Sequence, residues 1–152
     1  VTVTLTMRIG LPYLINYLRR MGIRSPMPKN LSLSPGSSEV TPLELASAYT
    51  VLANQGMRHE PIFITRIVDG SGETIYEAPT QPREALPAAT AYQVTSMLES
   101  VVERGTGKRA AKLGRPVAGK TGTTNDYTDA WFVGYVPQLL TAVWIGLDEK
   151  VT

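Results

Sequence analysis

One short stretch, residues 114–124, holds the residue types that could do chemistry in this chain of 152 residues. Its first part fits the pattern G-x-x-x-x-G-K-[ST], in which backbone N–H groups and a lysine hold nucleotide phosphates. Its later part places a cation, a hydroxyl and an open backbone side by side at Lys120, Thr121 and Gly122. These three residues could instead bind a carboxylate and an extended peptide.

A phosphate-binding loop needs an apolar strand before it and a helix directly after it. Residues 107–113 are basic and not strand-like, and Pro116 lies inside the proposed loop. The residues after Thr121 are turn formers and make a poor helix start. The nucleotide-binding hypothesis is therefore a remote alternative.

The other interpretation places Lys120 on a strand. The sequence predicts an extended segment over residues 116–124, a turn over 125–128, and strands over 130–136 and 139–147. Because short connections join consecutive strands, an antiparallel meander is expected. We therefore predict a mixed α/β (α+β) fold, in which an antiparallel sheet is flanked by helices.

Alternation along that strand decides what the site can bind. Thr121 and Thr123 share a face, so their hydroxyls could hydrogen-bond a substrate carboxylate. Lys120 points to the other face, but its long side chain can bring the ammonium to the same cleft. Gly122 lets another chain approach the backbone, and an edge strand could pair with an extended peptide. The N–H of Thr123 could stabilise an oxyanion.

Longer runs make the Lys-Thr-Gly tripeptide specific, since three common residues often match by accident. In sequence order these runs are residues 38–49, 105–107, 113–126, 129–135 and 143–146. Together they resemble the transpeptidase domain of the penicillin-binding proteins, most closely the bifunctional class A type. The resemblance covers nearly the whole chain.

The resemblance implies a serine β-lactamase-like fold and an enzyme that cross-links peptidoglycan by acyl transfer. In that family an S-x-x-K serine attacks a D-Ala-D-Ala peptide, and an S-x-N motif assists. The resemblance implies catalytic roles for Lys120 and Thr123, the latter through its backbone N–H. It implies substrate-binding roles for Thr121, Gly122 and Thr123. The implied partners are the peptidoglycan stem peptide and β-lactam antibiotics, and the implied location is extracytoplasmic.

Two family motifs have no counterpart here: no serine is followed three residues later by lysine, and no Ser-x-Asn occurs. Both motifs come earlier in the family's chains. We therefore expect residues 1–152 to be the C-terminal portion of a single transpeptidase domain, inactive without its N-terminal part. A non-catalytic β-lactam-sensing or wall-binding module of the same fold is the alternative, and an intact upstream S-x-x-K would favour the enzyme.

The composition argues against several other kinds of function and site. The chain is 43% hydrophobic and 18% charged, which is ordinary for a globular protein. A net charge of +2 is too weak to indicate nucleic-acid binding. The absence of cysteine excludes disulfides and thiolate metal sites, and the single His59 excludes a histidine cluster. We expect no cofactor.

Helices are predicted over residues 10–21, 41–54 and 89–103, with a surface loop over 24–38 and a hairpin of residues 62–68 and 74–76. The middle helix has the clearest start, because Thr41 and Glu44 form a T-x-x-E capping box. Residues 1–7 alternate like a strand, but the resemblance implies a helix, which we adopt. Trp131 and Trp144 are predicted to pack in the core.

Overall fold

The computed structural model describes residues 1–124 and 128–147. The α-helices there are α1 (Thr2–Ile9), α2 (Leu11–Met21), α3 (Pro42–Ala53) and α4 (Ala88–Arg104). The strands are β1 (Met57–Arg58), β2 (Arg66–Val68), β3 (Thr74–Glu77), β4 (Arg83–Glu84), β5 (Ala118–Thr123), β6 (Asp129–Val136) and β7 (Leu139–Gly146). Short 3₁₀ helices span Leu31–Leu33 and Lys108–Leu113.

The main sheet is an antiparallel meander in the order β5-β6-β7. The two-residue link of residues 137–138 joins β6 to β7, so the predicted strand order and short connection are confirmed. Residues 125–127 of the predicted turn between β5 and β6 lie outside the described residues.

Helices α3 and α4 pack on one side of this sheet, which we call the helix-facing side. Val51 of α3 and Ala91 of α4 are fully buried and share a core cluster with Ala118 and Tyr135. The hydroxyls of Tyr135 and Thr95 lie 2.8 Å apart, so α4 is also held to β6 by a hydrogen bond. Burial raises the pKa of Tyr135.

The predicted capping box starts α3. Thr41 Oγ1 accepts from the Glu44 N–H at 3.2 Å, and Glu44 Oε2 accepts from the Thr41 N–H at 3.2 Å. Glu44 also accepts from the backbone N–H groups of Arg24 and Ser25. The Ser25 hydroxyl is the main cause that lowers the pKa of Glu44 to about 2. One carboxylate thus begins α3 and fastens the chain that follows α2.

The N-terminal segment is helical, as the resemblance implied, and the strand suggested by its alternation is wrong. Thr6 is 4% exposed, its hydroxyl donates to the Thr2 carbonyl at 3.1 Å, and its Oγ1 lies 2.9 Å from Ser34 Oγ, within hydrogen-bond distance. A helical threonine can satisfy its hydroxyl four residues back in this way. Tertiary contact with residues 30–38 therefore outweighs the β-branched composition.

The hairpin is shorter than predicted. Only β2 and β3 pair, and residues 62–65 lie outside the strands. Strands β1 and β4 form a further antiparallel pair, which the sequence did not predict. The predicted surface loop over residues 24–38 contains a 3₁₀ turn with Leu33 buried. No helix of the described residues is long and apolar enough to cross a membrane.

Candidate active site

The Lys-Thr-Gly tripeptide lies in the middle of β5, opposite β6. Lys120 pairs with Val133, Thr121 with Phe132 and Gly122 with Trp131. Strand β5 continues through Thr121 to Thr123, whereas a phosphate-binding loop requires a helix to begin there. The structure therefore excludes the nucleotide-binding alternative.

The backbone of β5 has one side bonded to β6 and one side turned away from it. The N–H of Thr124 donates to the carbonyl of Asp129 at 3.1 Å. Backbone directions alternate along an antiparallel ladder, so the N–H groups of Thr121 and Thr123 point away from β6. In the described part of the chain no strand pairs with β5 on that side, which we call the open edge.

The ammonium of Lys120 reaches this open edge, although its Cα–Cβ bond points to the helix-facing side. Lys120 Nζ donates to the carbonyl oxygen of Thr121 at 2.6 Å, and that carbonyl also points away from β6. The side chain of Lys120 is exposed to solvent. A positive charge therefore lies beside the outward-pointing backbone groups of β5.

The hydroxyl of Thr121 is held by a residue that the sequence analysis did not single out. Thr121 Oγ1 and Thr106 Oγ1 lie 2.6 Å apart, and Thr121 is half-buried. Thr106 follows the last turn of α4 directly, inside the segment Gly105-Thr106-Gly107. In the sequence, Gly105 and Gly107 contribute only to the family resemblance. A threonine between them, in a run shared with the resembled family, was the available signal.

The outer side of β5 and β6 is shaped by an aromatic ring over two glycines. Gly119 and Gly134 face each other across the strands. A Cβ on Gly119 would lie 3.0 Å from Phe132 Cζ, and one on Gly134 would lie 2.7 Å from Phe132 Cε1. These glycines make room for the Phe132 ring. On the helix-facing side, a Cβ on Gly122 would lie 3.2 Å from Trp131 Cβ, so a larger residue at the motif glycine would crowd β6.

The tryptophans support the site from β6 and β7, but they are half-buried rather than in the core, which corrects the sequence prediction. Trp131 and Trp144 pair across the strands with ring centroids 6.2 Å apart. Trp144 Nε1 donates to Asp129 Oδ1 at 3.0 Å.

Metal chemistry has no support in the part of the chain that the structure describes. No group of three or more histidine, aspartate or glutamate side chains there could hold a metal ion. The residues gathered at the open edge are instead hydroxyl, ammonium and backbone donors. Such donors suit an anionic ligand that carries a carboxylate.

Comparison with known proteins identifies the family. The family model described as penicillin binding protein transpeptidase domain matches residues 8–147. Penicillin-binding protein 1A of Aquifex aeolicus is 43% identical over 148 residues, which cover 97% of this chain and 20% of that protein. The chain thus spans about a fifth of the length of the curated relatives it matches.

Solved structures show the same fold. Penicillin-binding protein 1A from Haemophilus influenzae superposes with a TM-score of 0.88 at 24% identity, over 97% of this chain and 28% of that one. PonA1 from Mycobacterium tuberculosis, in complex with penicillin V, superposes with a TM-score of 0.80 at 30% identity, over 95% of this chain and 43% of that one. The expected serine-enzyme fold, an antiparallel sheet flanked by helices, is confirmed.

Proposed function

We propose that this chain, which belongs to the penicillin-binding protein transpeptidase domain family, forms the substrate-binding part of a peptidoglycan DD-transpeptidase. One observation carries the proposal. Strand β5 presents the Thr121 side chain, the Lys120 ammonium and the outward N–H of Thr123 along a single open edge. That edge has the donors that acyl transfer from a peptide with a terminal carboxylate requires.

The roles of the residues follow from their positions. The Thr121 hydroxyl and the Lys120 charge bind the carboxylate of the terminal D-alanine. The substrate chain pairs with the open edge beside Gly122 and Thr123. The N–H of Thr123 donates to the oxyanion that forms when a serine oxygen attacks the penultimate carbonyl carbon. The terminal D-alanine leaves with a proton, and the amine of a second stem peptide then displaces the serine.

The nucleophile belongs to another part of the same domain in this proposal. No serine in the sequence has lysine three residues later, and the curated relatives are about five times as long as the matched region. Residues 1–152 are then the C-terminal portion of a single transpeptidase domain, and the N-terminal part is its partner. The longer protein is a serine-type enzyme, and this chain alone is inactive.

The ligands and the location follow from the reaction. The stem peptide of peptidoglycan is the substrate, and β-lactam antibiotics, which mimic its D-Ala-D-Ala end, acylate the same serine. The penicillin V complex of the PonA1 relative supports the second point. Peptidoglycan lies outside the cytoplasm, so we propose an extracytoplasmic domain that is anchored through parts beyond residues 1–152. The site requires no nucleic acid or cofactor.

The non-catalytic module is not favoured, because the relatives at 43% identity are named penicillin-binding protein 1A. The test uses the full-length protein with a fluorescent penicillin and with a lipid-linked disaccharide pentapeptide polymer. We expect a covalent penicillin adduct and cross-linked product, with both blocked by excess unlabelled penicillin. An adduct without cross-linking would support the sensing module, and the absence of both would contradict the proposal.

A further inference from the structure

The segment that follows α4 is built to hold one threonine in place. The N–H groups of Gly105 and Gly107 both donate to the carbonyl of Val101, at 3.0 and 3.1 Å. A Cβ on Gly105 would lie only 2.8 Å from that carbonyl oxygen. Glycine is therefore needed for the chain to fold back over the end of α4. Thr106 is the residue exposed at the tip of this turn.

Thr106 meets β5 at the motif threonine. Its hydroxyl lies 2.6 Å from the Thr121 hydroxyl, across fifteen positions of sequence. The intervening residues include the 3₁₀ helix Lys108–Leu113 and an open loop. Helix α4, which packs on β5, thus fixes the position of Thr106 relative to Thr121.

Each threonine hydroxyl has a single proton, and this fixes which of the two donates to the other when substrate is bound. A threonine hydroxyl has one proton to donate and can accept through its lone pairs. If Thr121 donates its proton to a substrate carboxylate, the short contact with Thr106 persists only when Thr106 donates to Thr121. A donated bond also polarises the Thr121 hydroxyl and strengthens the bond that Thr121 donates onward.

We propose that Thr106 is a positioning residue for the transpeptidase site: it selects the rotamer of Thr121 and directs the Thr121 proton toward the substrate carboxylate. The inference rests on the function proposed above. The Lys120 ammonium holds the Thr121 carbonyl, and Thr106 holds its side chain, so the motif threonine is fixed from two directions. Its hydroxyl then needs no reorganisation when the substrate arrives.

The experiment is a double-mutant cycle on the full-length protein, read as the second-order rate of acylation by a fluorescent penicillin. Thr106→Val removes the hydroxyl with little change in volume, and Thr106→Ser retains it. We expect Thr106→Val to lower the rate by roughly threefold to tenfold and Thr106→Ser to keep it within about twofold of wild type. Thr106→Val combined with Thr121→Val should be no slower than Thr121→Val alone. Thermal melting reports the fold, and Thr106→Ala replaces Thr106→Val if the latter fails to fold.

Each outcome of this experiment either supports or overturns the proposed role of Thr106. A wild-type rate in both Thr106→Val and Thr106→Ala would overturn the role of Thr106. So would losses in the double variant that equal the product of the single losses, because Thr106 would then act independently of Thr121. Failure of Thr106→Ser to retain the rate would assign the effect to packing and would also overturn it. An unaffected Thr121→Val variant would reject the role proposed for the motif threonine. The absence of both adduct and cross-linked product from the wild-type protein would reject the proposed function, which is distinguishable from failure at Thr106 alone.

Discussion

The indole of Trp144 donates to the carboxylate of Asp129, with 3.0 Å between Nε1 and Oδ1, and ties β7 to the first residue of β6. Asp129 lies opposite Gly146, and a Cβ on Gly146 would come within 2.9 Å of Oδ1 and 2.7 Å of the Trp144 ring. The glycine therefore leaves the space that the bond occupies. Asp129 also accepts from the Thr128 hydroxyl at 3.1 Å.

Asp129→Ala should destabilise the fold by about 1–2 kcal/mol, because it removes the acceptor of a half-buried indole N–H. Asp129→Asn keeps an acceptor oxygen and is the matched control, with a smaller loss. The measurement is thermal melting of the full-length protein. Equal melting temperatures for wild type and Asp129→Ala would show that the bond adds nothing to stability.

Thr121→Val should lower acylation by a fluorescent penicillin roughly tenfold to a hundredfold in the full-length enzyme. The change removes a hydrogen bond to a charged group, which is worth about 1.5–3 kcal/mol. Lys120→Ala should lower acylation at least as much, because it also removes a positive charge from the cleft. Neither change should unfold the protein, since neither side chain belongs to the core cluster.

Thr141→Val provides the control for these two variants. Thr141 is an exposed threonine on β7, which is separated from β5 by β6. We expect wild-type acylation from this variant. If Thr121→Val and Lys120→Ala also acylate at the wild-type rate with the fold intact, the motif is a solvated strand and not a binding site.

Residues 1–152 alone should form no stable adduct with labelled penicillin. Every serine in the sequence lacks the lysine that activates the nucleophile in this family. Mass spectrometry after incubation measures the result, and the full-length protein is the positive control. A covalent adduct on any serine of the isolated chain would mean that the nucleophile has been assigned to the wrong part of the protein.

Gly56→Ala should be severely destabilising, by more than about 3 kcal/mol. Gly56 has φ +92°, and a Cβ there would lie 2.0 Å from the carbonyl oxygen of Leu86. The conformational strain of a Cβ at positive φ and its steric clash with the Leu86 carbonyl therefore both destabilise the fold. Gly36→Ala is the matched control, because Gly36 has φ +96° with nothing within 4 Å of its Cβ position. Its cost should be only the strain of about 1–2 kcal/mol, and similar melting for the two variants would contradict this account.

The carboxyl of Glu44 should make the stability of the fold depend on pH. Its pKa is lowered to about 2 in the folded state from an ordinary value of 4.5, mainly by the Ser25 hydroxyl. A carboxyl whose pKa is lower in the folded state than in the unfolded state stabilises the fold at pH values above its unfolded pKa. For Glu44 that contribution is lost as the pH falls from about 4.5 to about 2. Glu44→Gln should remove this dependence and cost about 1 kcal/mol at neutral pH.

Glu39→Gln is the matched control for Glu44, since Glu39 is exposed on the same approach to α3. It should leave the pH profile of thermal melting unchanged. A Glu44→Gln variant whose melting temperature falls with acid as steeply as that of wild type would show that another carboxyl is responsible.

Local chemistry explains which elements could be predicted. The start of α3 was predictable because the side chains of Thr41 and Glu44 accept from each other's N–H groups, and Pro42 removes one free N–H from the first turn. The sheet β5-β6-β7 was predictable because its strands are long enough for alternation and their connections are short. The family resemblance predicted α1, whereas alternation alone predicted a strand, because the contact between Thr6 and Ser34 is remote in sequence.

The remaining features depend on contacts that no short pattern records. Strands β1 and β4 have two residues each, too few for any period, and they form because Gly56 accepts from the N–H groups of Ala85 and Leu86. The contact between Thr106 and Thr121 requires the packing of α4 on β5. The tryptophans are half-buried because the described helices cover the opposite end of the helix-facing side, near Tyr135.

The alternation of β5 makes the site intolerant of a change in the length of this strand. Inserting or deleting a single residue inside β5, between Ala118 and Lys120, would shift the register of the motif against β6 by one. The N–H of Thr123 would then turn toward β6, and the carbonyl that holds the Lys120 ammonium would turn away from the open edge. Length variation among descendants of this sequence should therefore accumulate before Ala118, while the spacing from Ala118 to Thr123 stays constant.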